Sequence, residues 1–361
     1  RRITIVGPLP PPAGGMANQT RKLAEFLRSE DIEVNIVQVN ADYRPQWIGK
    51  LPVLRAVARL FTYIFTLKKE LSKGQVIHIM ANSGWSWHLF AAPAIVIGRM
   101  LNKPVIVNYR GGYARSFFEK SWRWVNFTLR KTQGVVVPSP FLEEVFADFS
   151  YQAEVVPNVL DQSLFFPEEK LLNEQLHVIV TRNLEAIYDV STSIRAFAKI
   201  KKRYPCAKLS VAGTGPELAK LKLLVEELEL TQDVVFTGRL APNEMAALYQ
   251  QADLMLNTST VDNTPNSIIE SLACGTPVIS TNVGGIPQLV THEYDALLVE
   301  VGDDEMIANH AISIIESEEM RTELIQNGLK TISKFFWANV WKKLRACYQQ
   351  AIAKNENKDH V

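Results

Sequence analysis

The sequence is poor in cysteine: Cys206, Cys274 and Cys347 are the three in 361 residues. Their number is odd and their spacing matches no metal site, which argues against a disulfide framework and a structural zinc and fits a reduced compartment. Net charge is only +1, so the chain as a whole has no polyanion-binding character. A long apolar run is missing too. The longest stretch free of Asp, Glu, Lys and Arg, Gly74 to Gly98, holds Gln75, Asn82, Ser83, Trp85 and two histidines. A membrane span needs about 20 mainly apolar residues, so no transmembrane helix is expected. Arg1-Arg2-Ile3-Thr4-Ile5-Val6-Gly7 reads as a strand and not as a secretory leader, because its apolar run is short and stops at Pro8. His78, His88, His177, His292 and His310 show no ligand pairing, and no metal cofactor is expected. No recognised nucleic-acid module is found, and nucleic acid is not an expected partner.

What is present is an ordinary globular composition, 47% hydrophobic and 21% charged, at a length that favours two domains at roughly 150 residues each. The neutral total hides a split. Residues 1–160 carry 20 Lys+Arg against 11 Asp+Glu, and residues 161–361 carry 19 against 27. Between 40 and 131 there are 15 basic and 3 acidic side chains. The basic half predicts an anionic partner: a phosphorylated substrate, a phospholipid surface or, least favoured for want of a module, nucleic acid. A solvated basic face without partner is the plainer alternative.

Short β-branched runs alternate with helical stretches throughout. Strands are expected near 3–7, 33–39, 75–80, 104–109, 134–138 and 153–156, then near 177–181, 207–212, 233–237, 253–257, 277–281 and 296–300. Helices are expected near 15–30, 51–71, 85–101, 113–131 and 140–149, with others between the later strands and beyond 303. Such alternation means βαβ units and parallel sheets. Val156-Pro157-Asn158 through Pro167 has the prolines and turn residues of a linker. The expected architecture is α/β: two doubly wound domains facing a cleft, with ligands outside the carboxyl ends of the strands.

Three turns have the chemistry of anion sites. Gly14 and Gly15 open a helix after the first strand, where backbone N–H groups and the helix terminus favour a negative charge. Gly213-Thr214-Gly215-Pro216 repeats the arrangement in the second half, with Pro216 suited to a first helical position. The third is Asp262-Asn263-Thr264-Pro265-Asn266-Ser267-Ile268-Ile269-Glu270, followed by a helix end at Gly275 and a buried strand from Pro277. N–H groups near Asn266, Ser267 and Ile268 suit a diphosphate. Asp262 and Glu270 bracket them with carboxylates suited to sugar and ribose hydroxyls. A turn aspartate and a solvated helical glutamate are the plainer alternatives, and the apolar neighbours Ile268, Ile269, Leu272 and Ala273 disfavour the second.

This stretch resembles the E-x7-E motif of the retaining glycosyltransferases of the GT-B fold, glycosyltransferase family 4, with Asp262 in the first glutamate's place and Glu270 matching the second. Gly275 to Gln288 is similar to the family's G-x-P-V-I-x-T-x-V-G-G-x-P-E, and Phe336-Trp337-Ala338-Asn339-Val340-Trp341 to Tyr348 resembles its C-terminal helix, which crosses back onto the first domain. Phe236-Thr237-Gly238-Arg239 resembles its loop near the nucleobase. Two departures stand out. Arg182 matches the arginine of the family's G-R…K-G loop, but Tyr188-Asp189 stands at K-G. Asn108-Tyr109-Arg110-Gly111-Gly112 stands where an H-G histidine is common, and Arg110 cannot act as a base.

The resemblance implies an acceptor-binding domain over 1–161, completed by a helix over about 334–361, and a donor-binding domain over 162–333. It implies retaining, metal-independent transfer of a sugar from a nucleotide sugar, UDP favoured over GDP, to a glycan or lipid-diphosphate-linked acceptor in bacterial surface polysaccharide synthesis. Asp262, Arg182 and Arg110 would serve catalysis. Gly14, Gly15, Gly213, Gly238, Arg239, Asn263, Thr264, Asn266, Ser267, Ile268 and Glu270 would bind the donor. A nucleotide-sugar epimerase of the same architecture and a non-catalytic glycan- or nucleotide-binding relative are the alternatives. Two basic, aromatic, amphipathic helices point to peripheral contact with an anionic membrane from the cytoplasm. One carries Leu54, Val57, Phe61, Ile64 and Leu67 opposite Arg55, Arg59, Thr62, Thr66 and Lys69. The other carries Phe118, Trp122, Val125 and Leu129, with Trp124, Arg123, Arg130 and Lys131 completing the membrane-facing set.

Overall fold

The computed structural model describes residues 2–11, 15–40, 52–168 and 175–357, with backbone alone for 52–61. It divides into two units. Unit 1 is Arg1–Val159 with Trp337–Val361, and unit 2 is Leu160–Phe336.

In unit 1, β1 (Arg2–Gly7), α1 (Gly15–Ser29), β2 (Glu33–Gln38), α2 (Pro52–Leu71) and β3 (Val76–Ala81) are followed by α3 (Ala92–Met100), β4 (Val105–Tyr109), α4 (Ala114–Leu129), β5 (Gly134–Val137), α5 (Pro140–Asp148) and β6 (Glu154–Val155). Its six strands are parallel in the order β2-β1-β3-β4-β5-β6. Central strands covered on both faces need apolar side chains at every position, and all six residues of β3 are buried. One of them is His78.

Unit 2 runs β7 (His177–Val180), α6 (Val190–Arg203), β8 (Lys208–Ala212), α7 (Leu218–Glu227), β9 (Val234–Gly238), α8 (Pro242–Gln251), β10 (Leu254–Asn257), α9 (Asn266–Ala273), β11 (Val278–Thr281), α10 (Ile286–Leu289), β12 (Leu297–Val299), α11 (Asp304–Glu316) and α12 (Glu318–Thr331). Its parallel sheet has the order β12-β11-β10-β7-β8-β9. The winding reverses between β7 and β10, and the loops leaving these two strands flank the crevice where doubly wound sheets bind ligands. The last helix, α13 (Trp337–Glu356), belongs to unit 1. Its Val340, Leu344, Tyr348 and Ala351 pack with Ile3, Ile5, Val76, Met80, Ile106 and Val136 of the sheet and Leu23 and Leu27 of α1.

Three local expectations need correction. The helix expected over 85–101 opens with a π turn, Trp87–Ala91, in which the Ala92 N–H reaches Trp87 O. Pro93 follows and cannot donate to Leu89, so the wider turn passes the gap before the α-helix settles. Pro216 is not the first residue of its helix, which starts at Leu218. In α2 the buried stripe is Tyr63, Leu67 and Leu71, while Ile64 and Phe65 are exposed. Of the expected stripe, Ile64 is therefore turned away from the core while Leu67 is part of it. Leu54, Val57, Phe61, Arg55 and Arg59 lie outside the described side chains. No described helix is long and apolar enough to cross a membrane.

Candidate active site

Arg182 leaves the end of β7 and Asp262 lies in the loop after β10, so the reversal of winding sets them side by side. Arg182 Nη2 donates to Asp262 Oδ2 at 2.5 Å and Nη1 to Ser267 Oγ at 3.2 Å, and both charged side chains are nearly buried. The guanidinium also lies over the Tyr188 ring, 4.1 Å from its centroid. An arginine held by two side-chain acceptors and one aromatic face has little freedom left, which is the preorganisation a charge-stabilising group requires. Burial raises the Asp262 carboxyl above the ordinary aspartate range, against the downward pull of Arg182, the Asn263 N–H and Ser259.

Two atoms in these loops are unsatisfied. Arg182 Nε and Thr264 Oγ1 are buried without a hydrogen-bond partner among the described residues. An orphaned buried donor costs about 1–3 kcal/mol, and two such atoms, one on the arginine paired with Asp262 and one two residues beyond Asp262 in its loop, mark a place for a polar ligand. The helix that starts here, α9, is capped cleanly at its far end. Gly275 adopts φ 70°, its N–H bonds Leu272 O, and the Thr276 N–H bonds Ser271 O, a pattern that satisfies the last carbonyls. At the near end Pro265 precedes the first turn. The Ile268 N–H turns back to Pro265 O at 3.1 Å and its side chain is buried. Ile268 is thus a packing residue, and the expectation that its N–H faces a diphosphate is corrected. Ser267 stays in the site through Arg182. Glu270 lies one turn further along α9; burial raises the Tyr249 phenol well above its ordinary range, and the nearby Glu270 charge adds to that. Tyr249 in turn shares a hydrogen bond of 2.7 Å with Thr181, next to Arg182.

The glycines have positional roles. A Cβ on Gly213 would sit 2.1 Å from Arg182 O, and one on Gly215 would sit 2.3 Å from Leu184 O. These residues let the loop after β8 lie against the backbone that carries Arg182. Gly284 has φ 55°, and a Cβ there would be 1.9 Å from Asp262 O. The next residue, Gly285, donates its N–H to that same oxygen at 3.0 Å. Gly238 accepts from the Gly213 N–H. Arg239 follows at the edge of the sheet, exposed and two strands from β7; it is not among the contacts of Arg182. Asn263, Thr264 and Asn266 all fall in the loop and first turn beside Asp262.

In unit 1, Arg110 follows β4 and donates from Nη1 to Asn108 Oδ1 at 3.3 Å and from Nη2 to Asn158 Oδ1. Gly15 is the exposed first residue of α1 with open space around it, and Gly14 lies outside the described residues. Trp122 packs against Phe118, Phe149 and Tyr151, which removes it from any membrane-facing set. The same holds for Phe118, Val125 and Leu129, which are core.

Comparison with known proteins gives this arrangement a family. The model for Glycosyl transferases group 1 matches residues 161–331 and that for Glycosyltransferase Family 4 matches residues 13–164. The chain is a GT-B glycosyltransferase of family 4. It is 28% identical to alpha-monoglucosyldiacylglycerol synthase of Streptococcus pneumoniae, over 96% of this chain and 84% of that one. It is 30% identical to N-acetyl-alpha-D-glucosaminyl L-malate synthase of Bacillus anthracis over 51% of this chain, a match spanning 49% of that protein's length. Anabaena HepE, solved with UDP, superimposes with a TM-score of 0.72 at 17% identity, over 96% of this chain and 99% of that one.

Within the family 4 pattern the structure explains one departure. Asp189, at the K-G glycine, has φ 38° and ψ 49°, a left-handed conformation that aspartate tolerates better than most residues. Its carboxylate accepts from Ser191 Oγ at 2.5 Å and Thr192 Oγ1 at 2.6 Å, so it holds the start of α6. Tyr188, at the lysine, contributes a ring against Arg182 where the family has a second cation. The stacking of Tyr188 and the service of Gly284 to Asp262 had no signal in the sequence beyond the motif letters.

Proposed function

We propose that this glycosyltransferase moves a sugar from a nucleotide sugar, UDP-linked by preference, held on unit 2, to a glycan or lipid-linked acceptor, with retention and without a metal. The observation that carries the reading is Arg182: a fixed, nearly buried cation beside the first turn of α9, with Nε unsatisfied. Charge grows on the leaving diphosphate as the glycosidic bond breaks, and a preorganised cation with helix N–H groups stabilises it. The UDP complex of HepE supports a uridine donor. Glu270 is assigned to ribose hydroxyls and Asp262 to the transferred sugar. With excess EDTA present, turnover of UDP-glucose should stay close to that in magnesium. Under the same conditions Glu270→Gln should weaken UDP binding, and Asp262→Asn should mainly lower kcat. Magnesium-reversible loss of all activity, or full activity and unchanged UDP affinity in both variants, would sink the reading. Turnover that consumes no acceptor and yields an epimerised donor would mark the epimerase instead.

Peripheral membrane contact, at the inner face of the plasma membrane in surface polysaccharide synthesis, is the second part of the proposal. Trp124 is 71% exposed and Phe127 58% exposed on α4, Arg123 and Arg130 are exposed beside them, and Lys131 Nζ lies 4.6 Å from the Phe127 ring centroid. The similarity to the Streptococcus alpha-monoglucosyldiacylglycerol synthase supports a lipid acceptor. Each basic side chain contributes about 1 kcal/mol near an anionic surface, a contribution that fades with salt. The protein should sediment with vesicles rich in anionic lipid and poorly with neutral ones. Replacing Arg123, Arg130 and Lys131 by Ser should remove most binding and leave the melting temperature unchanged. Equal sedimentation of wild type and variant would contradict it.

A further inference from the structure

We propose that Tyr348, His78 and Asn108 are positioning residues for Arg110. They form a buried hydrogen-bond chain on the α13 face of the unit 1 sheet that holds the guanidinium at the end of β4 as a cation without a carboxylate partner, open to a phosphate or carboxylate group of the acceptor. The proposal rests on the reading that the chain transfers a sugar to an acceptor, and it places Arg110, on unit 1, on the acceptor's side of that reaction.

The pleat brings these residues together. Alternate residues of a strand share a face. Val76 and Met80 of β3 and Ile106 of β4 pack toward α13, so His78, Asn108 and Arg110 lie on that side as well. His78 is fully buried there, with Tyr348 Oη 2.9 Å from Nδ1 and Asn108 Nδ2 3.2 Å from Nε2. Asn108 Oδ1 then accepts from Arg110 Nη1 at 3.3 Å.

The arginine decides the polarity of the whole chain. A guanidinium has donors only, so Asn108 must turn its oxygen toward Arg110 and its NH2 toward His78. His78 Nε2 must then be the acceptor, which places the ring proton on Nδ1, and Nδ1–H donates to Tyr348 Oη. The ring is neutral: burial, assisted by the charge of Arg110, lowers its pKa to about 3. A proton on Nε2 would turn the Asn108 amide round and set NH2 against the cation. The chain is therefore a lock on one amide orientation, and that orientation seats Arg110.

What it seats is a charge without compensation among the described residues. Nη1 and Nη2 each reach an amide oxygen, of Asn108 and Asn158. No carboxylate pairs with Arg110 among the described residues, and its pKa is moved by burial alone, down to about 10. It stays protonated at neutral pH. Buried charges are ordinarily paired, and among the described residues only two of the five N–H donors have a side-chain acceptor, leaving the others for an anion.

The test uses the full chain saturated with UDP, so that the unit 2 site is filled, and titrates inorganic phosphate. Wild type should bind phosphate, and Arg110→Ala should abolish that binding. Asn108→Asp supplies the missing counter-charge and should weaken phosphate by about tenfold or more, with UDP affinity and melting temperature kept. Tyr348→Phe removes the acceptor for Nδ1–H and should weaken phosphate about three- to tenfold. Nitrogen-15 spectra should show His78 neutral with its proton on Nδ1 in wild type, and on Nε2 or on both nitrogens in Asn108→Asp. Absence of phosphate binding to UDP-saturated wild type, unchanged phosphate affinity in Asn108→Asp, or a wild-type proton on Nε2 would overturn the proposal. UDP-glucose turnover measured beside it separates the readings: turnover retained while phosphate affinity ignores these substitutions defeats the lock and leaves the donor assignment standing.

Discussion

Replacing Arg182 by alanine should lower turnover of a UDP-sugar by about 10²–10³-fold, the range seen when one preorganised charge-stabilising group is removed. Arg182→Lys should fall between, because lysine keeps the charge but cannot bridge Asp262 Oδ2 and Ser267 Oγ with one planar fork. The same substitution should change stability in a pH-dependent way. Asp262 is held above its ordinary value by burial, and Arg182 is the largest influence pulling it down. Without Arg182 it rises further. A carboxyl whose folded pKa exceeds its unfolded value stabilises the fold fully below the unfolded value and loses that contribution as pH rises through the folded value. The stability deficit of Arg182→Ala relative to wild type should therefore grow from pH 4 to pH 8, reaching about 3 kcal/mol. Melting curves at the two pH values decide; a deficit constant or larger at pH 4 would count against the pairing.

Gly284→Ala should be nearly as damaging, although Gly284 contributes no side chain to the site. The new Cβ would stand 1.9 Å from Asp262 O on a backbone at φ 55°, so either the loop carrying Asp262 or the turn before α10 must move. Forced displacement at a strained left-handed position costs about 2–4 kcal/mol. A shift of about 1 Å in the Asp262 loop is enough for roughly 10²-fold in rate. Gly302→Ala is the control: it also has positive φ, at 80°, but opens onto empty space, and should cost about 1 kcal/mol with activity kept. Similar activity in both variants would refute the positioning role of Gly284.

The fold was legible because parallel strands covered on both faces write themselves as continuous apolar runs. All twelve strands lie within two residues of where the β-branched runs put them. The candidate site was legible as a set of polar loop and helix-start residues where the chain itself is continuous, from Asp262 through Gly275. It was illegible where two distant segments meet. Nothing in Tyr188 says that its ring lies on Arg182, and nothing in Gly284 says that a carbonyl from residue 262 passes within reach. The helical faces of unit 1 were read less well. Trp122 and Trp124 are two residues apart and so point to different sides of α4, and composition cannot say which side is wet. His78 did leave a trace, a single polar residue inside Val-Ile-His-Ile-Met-Ala. A histidine in the middle of a buried strand is costly unless both ring nitrogens are used, and here both are.

The return of α13 to unit 1 has a consequence for how the protein is made. Val340, Leu344, Tyr348 and Ala351 fill one face of a sheet whose strands end by Val155. On the ribosome those strands wait, with that face covered by α1 alone, while the whole of unit 2 is translated. At 5–20 residues per second the delay is about 10–35 s, long against the folding time of a small domain. Unit 2 is continuous in the chain and can close as it emerges, whereas unit 1 begins first and finishes last. The half-covered sheet, with Ile3, Ile5, Val76 and Ile106 exposed on it, is the species most in need of a chaperone.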